Sequence, residues 1–148
     1  MAKKNKIELI KKPKITVGIV KSNFNQKITD KMLYAVEAFL KANKIKYKIL
    51  EVPGAFEIPL GLNKMIKSNK YKCLVAIGCL IKGETRHFDV IADAVTKKIL
   101  DLEIENNISI GFGIITALNK KQAKKRTDLG VKATITAINT YSIMNAKK

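Results

Sequence analysis

Short β-branched runs alternate along this chain with segments whose apolar residues recur at helical spacing, and that alternation limits the folds open to it. Ile15 to Val20 reads as a strand. Ile28, Met32, Leu33, Val36, Phe39 and Leu40 then fall at helical intervals, with Thr29 as a plausible N-cap. Ile45 to Val52 alternates as a strand, Pro53-Gly54 breaks it, and Ile58 to Ile66 reads as a helix. Cys73 to Leu80 is a continuous apolar run, the pattern of a strand buried on both faces. Phe88, Ile91, Ala92, Val95, Ile99 and Leu102 form a helical stripe. A strand over Ile108 to Ile115, a short helix around Gln122 and a last helix from Val131 to Met144 close the chain. Four strands separated by crossover helices predict a three-layer α/β/α sandwich with a central four-stranded parallel sheet. In such sheets ligands sit beyond the carboxyl ends of the strands. Functional residues are therefore expected near positions 21–25, 53–57, 79–87 and 115–126.

A chain of 148 residues fits one domain. We expect residues 1–14 to form a Lys-rich N-terminal arm and residues 15–148 a single domain. The longest clean apolar stretch, Leu74 to Ile81, is far short of the roughly 20 residues a membrane span needs. The start, MAKKNKIELIKKPK, lacks an apolar core of signal-peptide length. A cytoplasmic protein is expected. The formal charge of +17 invites a nucleic-acid reading. Of 29 basic residues, however, only Arg86 and Arg126 are arginine, the residue whose fork geometry nucleic-acid sites draw on. The lysines are spread along the whole chain beside abundant Ile and Asn, so a solvated surface is favoured over a polyanion site. Cys73 and Cys79 lie in one apolar run with no metal-site spacing, and a single His cannot complete such a site, so no metal is expected.

The segments after the strands are the chemically rich ones. Ser22-Asn23-Phe24-Asn25 offers a loop aromatic that either stacks on a planar heterocycle or folds back on the core. In Val52-Pro53-Gly54-Ala55-Phe56-Glu57-Ile58-Pro59, Glu57 either satisfies a helix end or accepts hydrogen bonds from a polyhydroxylated ligand. Ile81-Lys82-Gly83-Glu84-Thr85-Arg86-His87-Phe88-Asp89 holds the only His, and its backbone precedes a helix where a phosphate fits. Imidazole suits proton transfer near neutral pH. Arg126, after the last strand, is a candidate bidentate ligand for a phosphate or carboxylate, or else one half of a surface ion pair. No Walker A, Gly-x-Gly-x-x-Gly or Gly-x-Ser-x-Gly pattern occurs, which disfavours nucleoside triphosphatases, Rossmann dehydrogenases and serine hydrolases.

The Val52 to Pro59 motif, followed by Gly78 to Asp89, resembles 6,7-dimethyl-8-ribityllumazine synthases. Phe24-Asn25 with Ile28-Thr29, and Gln122-Ala123 with Arg126, match further family segments in order. The likeness runs from about residue 15 to 144. It implies a flavodoxin-like fold and a transferase acting in the penultimate step of riboflavin synthesis. The implied reaction joins 5-amino-6-(D-ribitylamino)uracil to 3,4-dihydroxy-2-butanone 4-phosphate, with loss of phosphate and water and with no cofactor.

Carried onto this chain, the resemblance implies that Phe24 stacks on the pyrimidine and that Ala55, Phe56 and Glu57 bind the ribityl chain and nearby ring atoms. Cys79, Leu80 and Ile81 would line the pyrimidine site, Glu84 and Thr85 would meet the phosphate, and His87 would shuttle protons. Arg126, which would pair with that phosphate, and Phe112 would both come from an adjoining subunit. The family forms pentamers or 60-subunit shells with sites between subunits, and the arm around Ile7 to Ile10 would add a strand to a neighbour. One departure is the segment after Arg126, Thr127-Asp128-Leu129-Gly130, which is several residues shorter than in many members. The archaeal-type riboflavin synthase shares the fold, but the complete set of Phe24, Phe56-Glu57 and His87-Phe88-Asp89 favours lumazine synthase. Subunits this basic need apolar interfaces, or bound anions, to offset their repulsion.

Overall fold

Strand and helix follow the two hydrophobic periods closely. The computed structural model describes residues 7–146. Its strands are β1 (Thr16–Ser22), β2 (Lys46–Val52), β3 (Cys73–Ile81) and β4 (Ser109–Ala117). The helices are α1 (Gln26–Ala42), α2 (Ile58–Ser68), α3 (His87–Asn106), α4 (Lys120–Lys124) and α5 (Leu129–Met144), with a short 3-10 turn over Ala55–Glu57 ahead of α2. Every sequence-predicted element is present, with ends shifted by a few residues. One detail differs. Thr29 is not the cap of α1, because Asn25 occupies that place in a left-handed conformation at φ 59° without a side-chain cap bond. Thr29 lies buried inside the first turn, its hydroxyl directed at the Gln26 carbonyl at 3.4 Å. The left-handed cap is open to Asn, whose short polar side chain tolerates that region.

All four strands are parallel, in the order β2-β1-β3-β4. This is a flavodoxin-like order, and its crossovers reverse direction between β1 and β3. Two apolar layers follow from the strand alternation. Val17, Ile19, Val75, Ile77 and Ile115 pack under α1 and α5, whereas Val20, Leu74, Ala76, Ile110 and Ile114 pack under α2 and α3. β3 is central and, apart from its last two residues, buried, as a continuous apolar run requires. β2 is an edge strand with exposed Lys46, Lys48 and Glu51, charges that discourage pairing with another edge.

Residues 7–14 have no strand. Asn139 on α5 clasps them: its amide donates to the Glu8 carbonyl at 2.8 Å and its oxygen accepts from the Ile10 N–H at 2.9 Å. The segment expected to reach a neighbour's sheet thus lies along its own chain's helix here, and residues 1–6 fall outside the described ones.

The approach of α5 to β4 depends on glycine. A methyl on Gly111 would run into the carbonyl oxygen of Ala133, and one on Gly113 would meet the Ala76 carbonyl at 2.7 Å. The two glycines face α5, while Phe112 between them points the other way and stays partly exposed. Gly111→Ala is expected to cost about 3 kcal/mol, because backbone cannot yield as a side-chain end can. A urea midpoint at fixed chain concentration checks this, and an unchanged midpoint would mean that α5 slides freely over β4.

Candidate functional site

The carboxyl ends of the strands bring together loops far apart in sequence. The β1–β2 ladder, which pairs Ser22 with Val52, continues beyond the strands. The Asn23 N–H donates to the Val52 carbonyl at 2.8 Å and the Phe24 N–H to the Pro53 carbonyl at 2.9 Å. Phe24 is thereby set beside the turn that leads into Ala55, Phe56 and Glu57. Across the reversal point, the Asn25 side-chain amide donates to the Cys79 carbonyl at 2.9 Å. On the other side of β3 the ladder also runs on, with the Lys82 N–H bonded to the Ala117 carbonyl at 2.9 Å. Backbone bonds on either side, and the Asn25 side chain across the reversal point, therefore join the exits of all four strands into one rim.

Side-chain exposure along this rim is unusual. Phe24 is 64% exposed and Phe56 63%. Two large exposed rings on loops that share backbone bonds are a ready surface for a planar, partly apolar ligand. Ala55 is buried, Glu57 is half-buried at the start of α2, and Leu80 and Ile81 are half-buried at the end of β3. Burial pushes the Cys79 thiol up to about 11 and that of Cys73 up to about 12. Both stay protonated at neutral pH, and neither acts as a nucleophile.

Residues 82–87 form an exposed crossing from β3 to α3. The N–H groups of Gly83, Glu84, Thr85 and Arg86 have no acceptor among the described residues. The His87 N–H is directed at the Thr85 hydroxyl at 3.3 Å. Open N–H groups at the positive end of a 20-residue helix favour an anion. The His87 imidazole is exposed and makes no hydrogen bond among the described residues, which leaves both ring nitrogens free for proton exchange.

After β4, Asn119 caps α4 by accepting from the Gln122 N–H at 2.9 Å, and the Gln122 side chain accepts from the Leu118 N–H at 2.9 Å. These two bonds order the turn that carries Arg126. Arg126 is exposed and has no ion pair among the described residues, since the nearby Asp128 pairs with Lys132 at 2.9 Å. The surface ion pair considered for Arg126 is therefore not formed. Phe112 lies apart from the others: it pairs with Ala76 in mid-sheet, about 17 Å of strand before the rim.

Cavities of about 670, 420 and 490 Å³ lie away from the rim, the first at the amino ends of β3 and β4 beside Tyr71, Ser109 and Tyr141. None of the three includes a sequence-predicted site residue. Among the described residues no cluster of His, Cys, Asp and Glu is placed to hold a metal, and no helix is long and apolar enough to cross a membrane. Sequence reasoning missed Lys21, which is buried at the exit of β1 and bonded to the Asn23 side chain. Its signal was a lone charge ending a β-branched run.

Fold and rim together define an open α/β parallel-sheet protein with its strand-exit loops gathered along one edge. The family model for 6,7-dimethyl-8-ribityllumazine synthase matches residues 14–145, and the chain belongs to that family. Among solved structures, it is similar to a fragment from Peptoclostridium difficile 630 named a lipoprotein, at 12% identity and a TM-score of 0.52, covering 83% of this chain and 99% of that one. That likeness concerns the fold alone. A GDSL-like lipase from Bacteroides thetaiotaomicron VPI-5482 aligns at 15% identity and a TM-score of 0.44, over 92% of this chain and 69% of the other.

Proposed function

We propose that this chain is a 6,7-dimethyl-8-ribityllumazine synthase. It condenses 5-amino-6-(D-ribitylamino)uracil with 3,4-dihydroxy-2-butanone 4-phosphate and releases phosphate and water. The observation that carries this reading is the exposure of the Phe24 and Phe56 rings on adjoining strand-exit loops, together with the unbonded N–H groups that lead into α3 from the exit of β3. One half of the rim suits a flat heterocycle with a polyol tail, and the other suits a phosphate ester. Family membership supplies the reaction that needs both.

In this reading Phe24 stacks on the pyrimidine, while Ala55, Phe56 and Glu57 receive the ribityl chain. Cys79, Leu80 and Ile81 line the ring's edge, and Glu84 and Thr85 meet the phosphate. The amine attacks the ketone and one water leaves as the imine forms. Loss of a proton from the adjacent carbon expels phosphate and leaves an enol. The enol returns to a carbonyl, and the second amine attacks that carbon to close the ring as a second water leaves. His87 takes and returns protons during imine formation and ring closure. Most of the rate comes from holding the two substrates in register, which suits a site with a single imidazole to exchange protons.

The site is completed by a second copy of the chain. The exposure of Phe24, Phe56 and His87 supports this, as do Phe112, too far from its own rim, and Arg126, which has no ion pair among the described residues. α3 buries only Val95, Ile99 and Leu102 and leaves Val90, Leu100 and Ile104 exposed. That apolar face is of the kind needed to hold subunits this basic together. The assembly is a pentamer or a shell of pentamers, in the cytoplasm.

The decisive experiment mixes the purified chain with both substrates and follows lumazine fluorescence. Formation well above the uncatalysed rate is expected. A rate equal to the uncatalysed one would overturn the reading.

A further inference from the structure

Lys21 is the only charged side chain buried among the described residues, at 0% exposure. The strand period places it with Val17 and Ile19 on the sheet face beneath α1. An ammonium in such a place loses its hydration unless each N–H finds an acceptor. Lys21 has three N–H groups, and it finds two hydrogen-bond acceptors and one further carboxylate within ion-pair distance. It donates to the Asn23 side-chain oxygen at 2.7 Å, pairs with Asp30 on α1, and lies 3.6 Å from a Glu51 carboxylate oxygen on β2. Asp30 and Glu51 are themselves more than half exposed. Neither needs a buried lysine for its own hydration.

The informative partner is Asn23. It precedes Phe24, whose ring is mostly exposed and takes little of its placement from packing. What places the ring is the backbone of the loop: the N–H groups of Asn23 and Phe24 are bonded to β2 and its exit, and the Asn25 side chain to β3. Lys21 adds a bond to the loop's side chain, donating to the Asn23 amide oxygen.

We propose that Lys21 is a positioning residue for the ring-binding half of the site, acting through Asn23 on the loop that presents Phe24 to the heterocycle. It touches no ligand. This role rests on the functional reading above.

The test uses Asn23→Ala, which leaves Lys21 paired with both carboxylates, and Lys21→Met. Each variant is assayed with both substrates and melted at one chain concentration. We expect KM for the ribitylaminouracil to rise about five-fold in each, the worth of one such hydrogen bond. KM for the butanone phosphate stays within two-fold, and Asn23→Ala melts as the unaltered chain does. In a Phe24→Ala background, Asn23→Ala adds nothing further, because its effect passes through the ring. Parallel rises in both KM values, or an equal cost with and without Phe24, would overturn the role and leave Lys21 purely structural. If the unaltered chain is active and both KM values stay put, the positioning role alone fails. If the unaltered chain forms no lumazine, the functional reading fails and takes this role with it.

Discussion

Arg126→Ala is expected to lower kcat/KM for the butanone phosphate about 100-fold, almost wholly through KM for that substrate. The guanidinium stands on an ordered turn, exposed and without an ion pair among the described residues. A phosphate ester presents two or three oxygens to its planar fork, and charge-assisted bonds of this kind are about twice as strong as neutral ones. Two of them lost, less what water recovers, come to about 3 kcal/mol, or roughly two decades in the equilibrium. KM for the ribitylaminouracil should move less than two-fold. Arg126→Lys should recover part of the loss, since it keeps the charge but not the fork. The shortened segment after Arg126 sharpens this expectation, because no basic residue stands between Arg126 and Lys132 to share the load. An unchanged KM for the phosphate substrate would remove Arg126 from the site.

The second large effect is expected at His87. His87→Ala should lower kcat about 100-fold with both KM values nearly unchanged, the lower end of what general acid–base catalysis contributes. Turnover is slowed and not abolished, because the rim still aligns the two substrates. His87→Gln is the informative companion. It retains size and hydrogen bonding but has no ionisable proton to take or give, so it should be as slow as alanine if proton transfer is the role. A glutamine variant near full rate would make His87 a hydrogen-bonding residue only. A total loss in both would give it a larger part than proton exchange. Steady-state kinetics in each substrate separate these outcomes.

Much of this molecule was legible before its structure. The strands and helices were, because a two-residue and a 3.6-residue period are written locally into the chain. The placing of candidate residues after strands was also legible, since parallel sheets expose those loops at one edge. The cap of α1 was not. Thr29 is a good capping residue by type, but the preceding loop needed a left-handed position, which Asn25 takes. Lys21 was missed because its neighbours, Val20 and Ser22, mark an ordinary strand end. Only the approach of Asp30 and Glu51, nine and thirty residues away, reveals why a charge is tolerated there.

By itself, then, the sequence determined the alternation of strands and helices, the parallel sheet that alternation demands, and the motifs that tie residues 14–145 to one family. Those are properties of short windows, and short windows are where hydrophobic period and motif spacing act. The tertiary structure decided the order β2-β1-β3-β4, the joining of Asn25 to Cys79 across the reversal point, the burial of Lys21 and the openness of Phe24, Phe56 and Arg126. Each depends on segments distant in the chain meeting through crossovers and shared backbone bonds, and local periodicity carries no record of which segments meet.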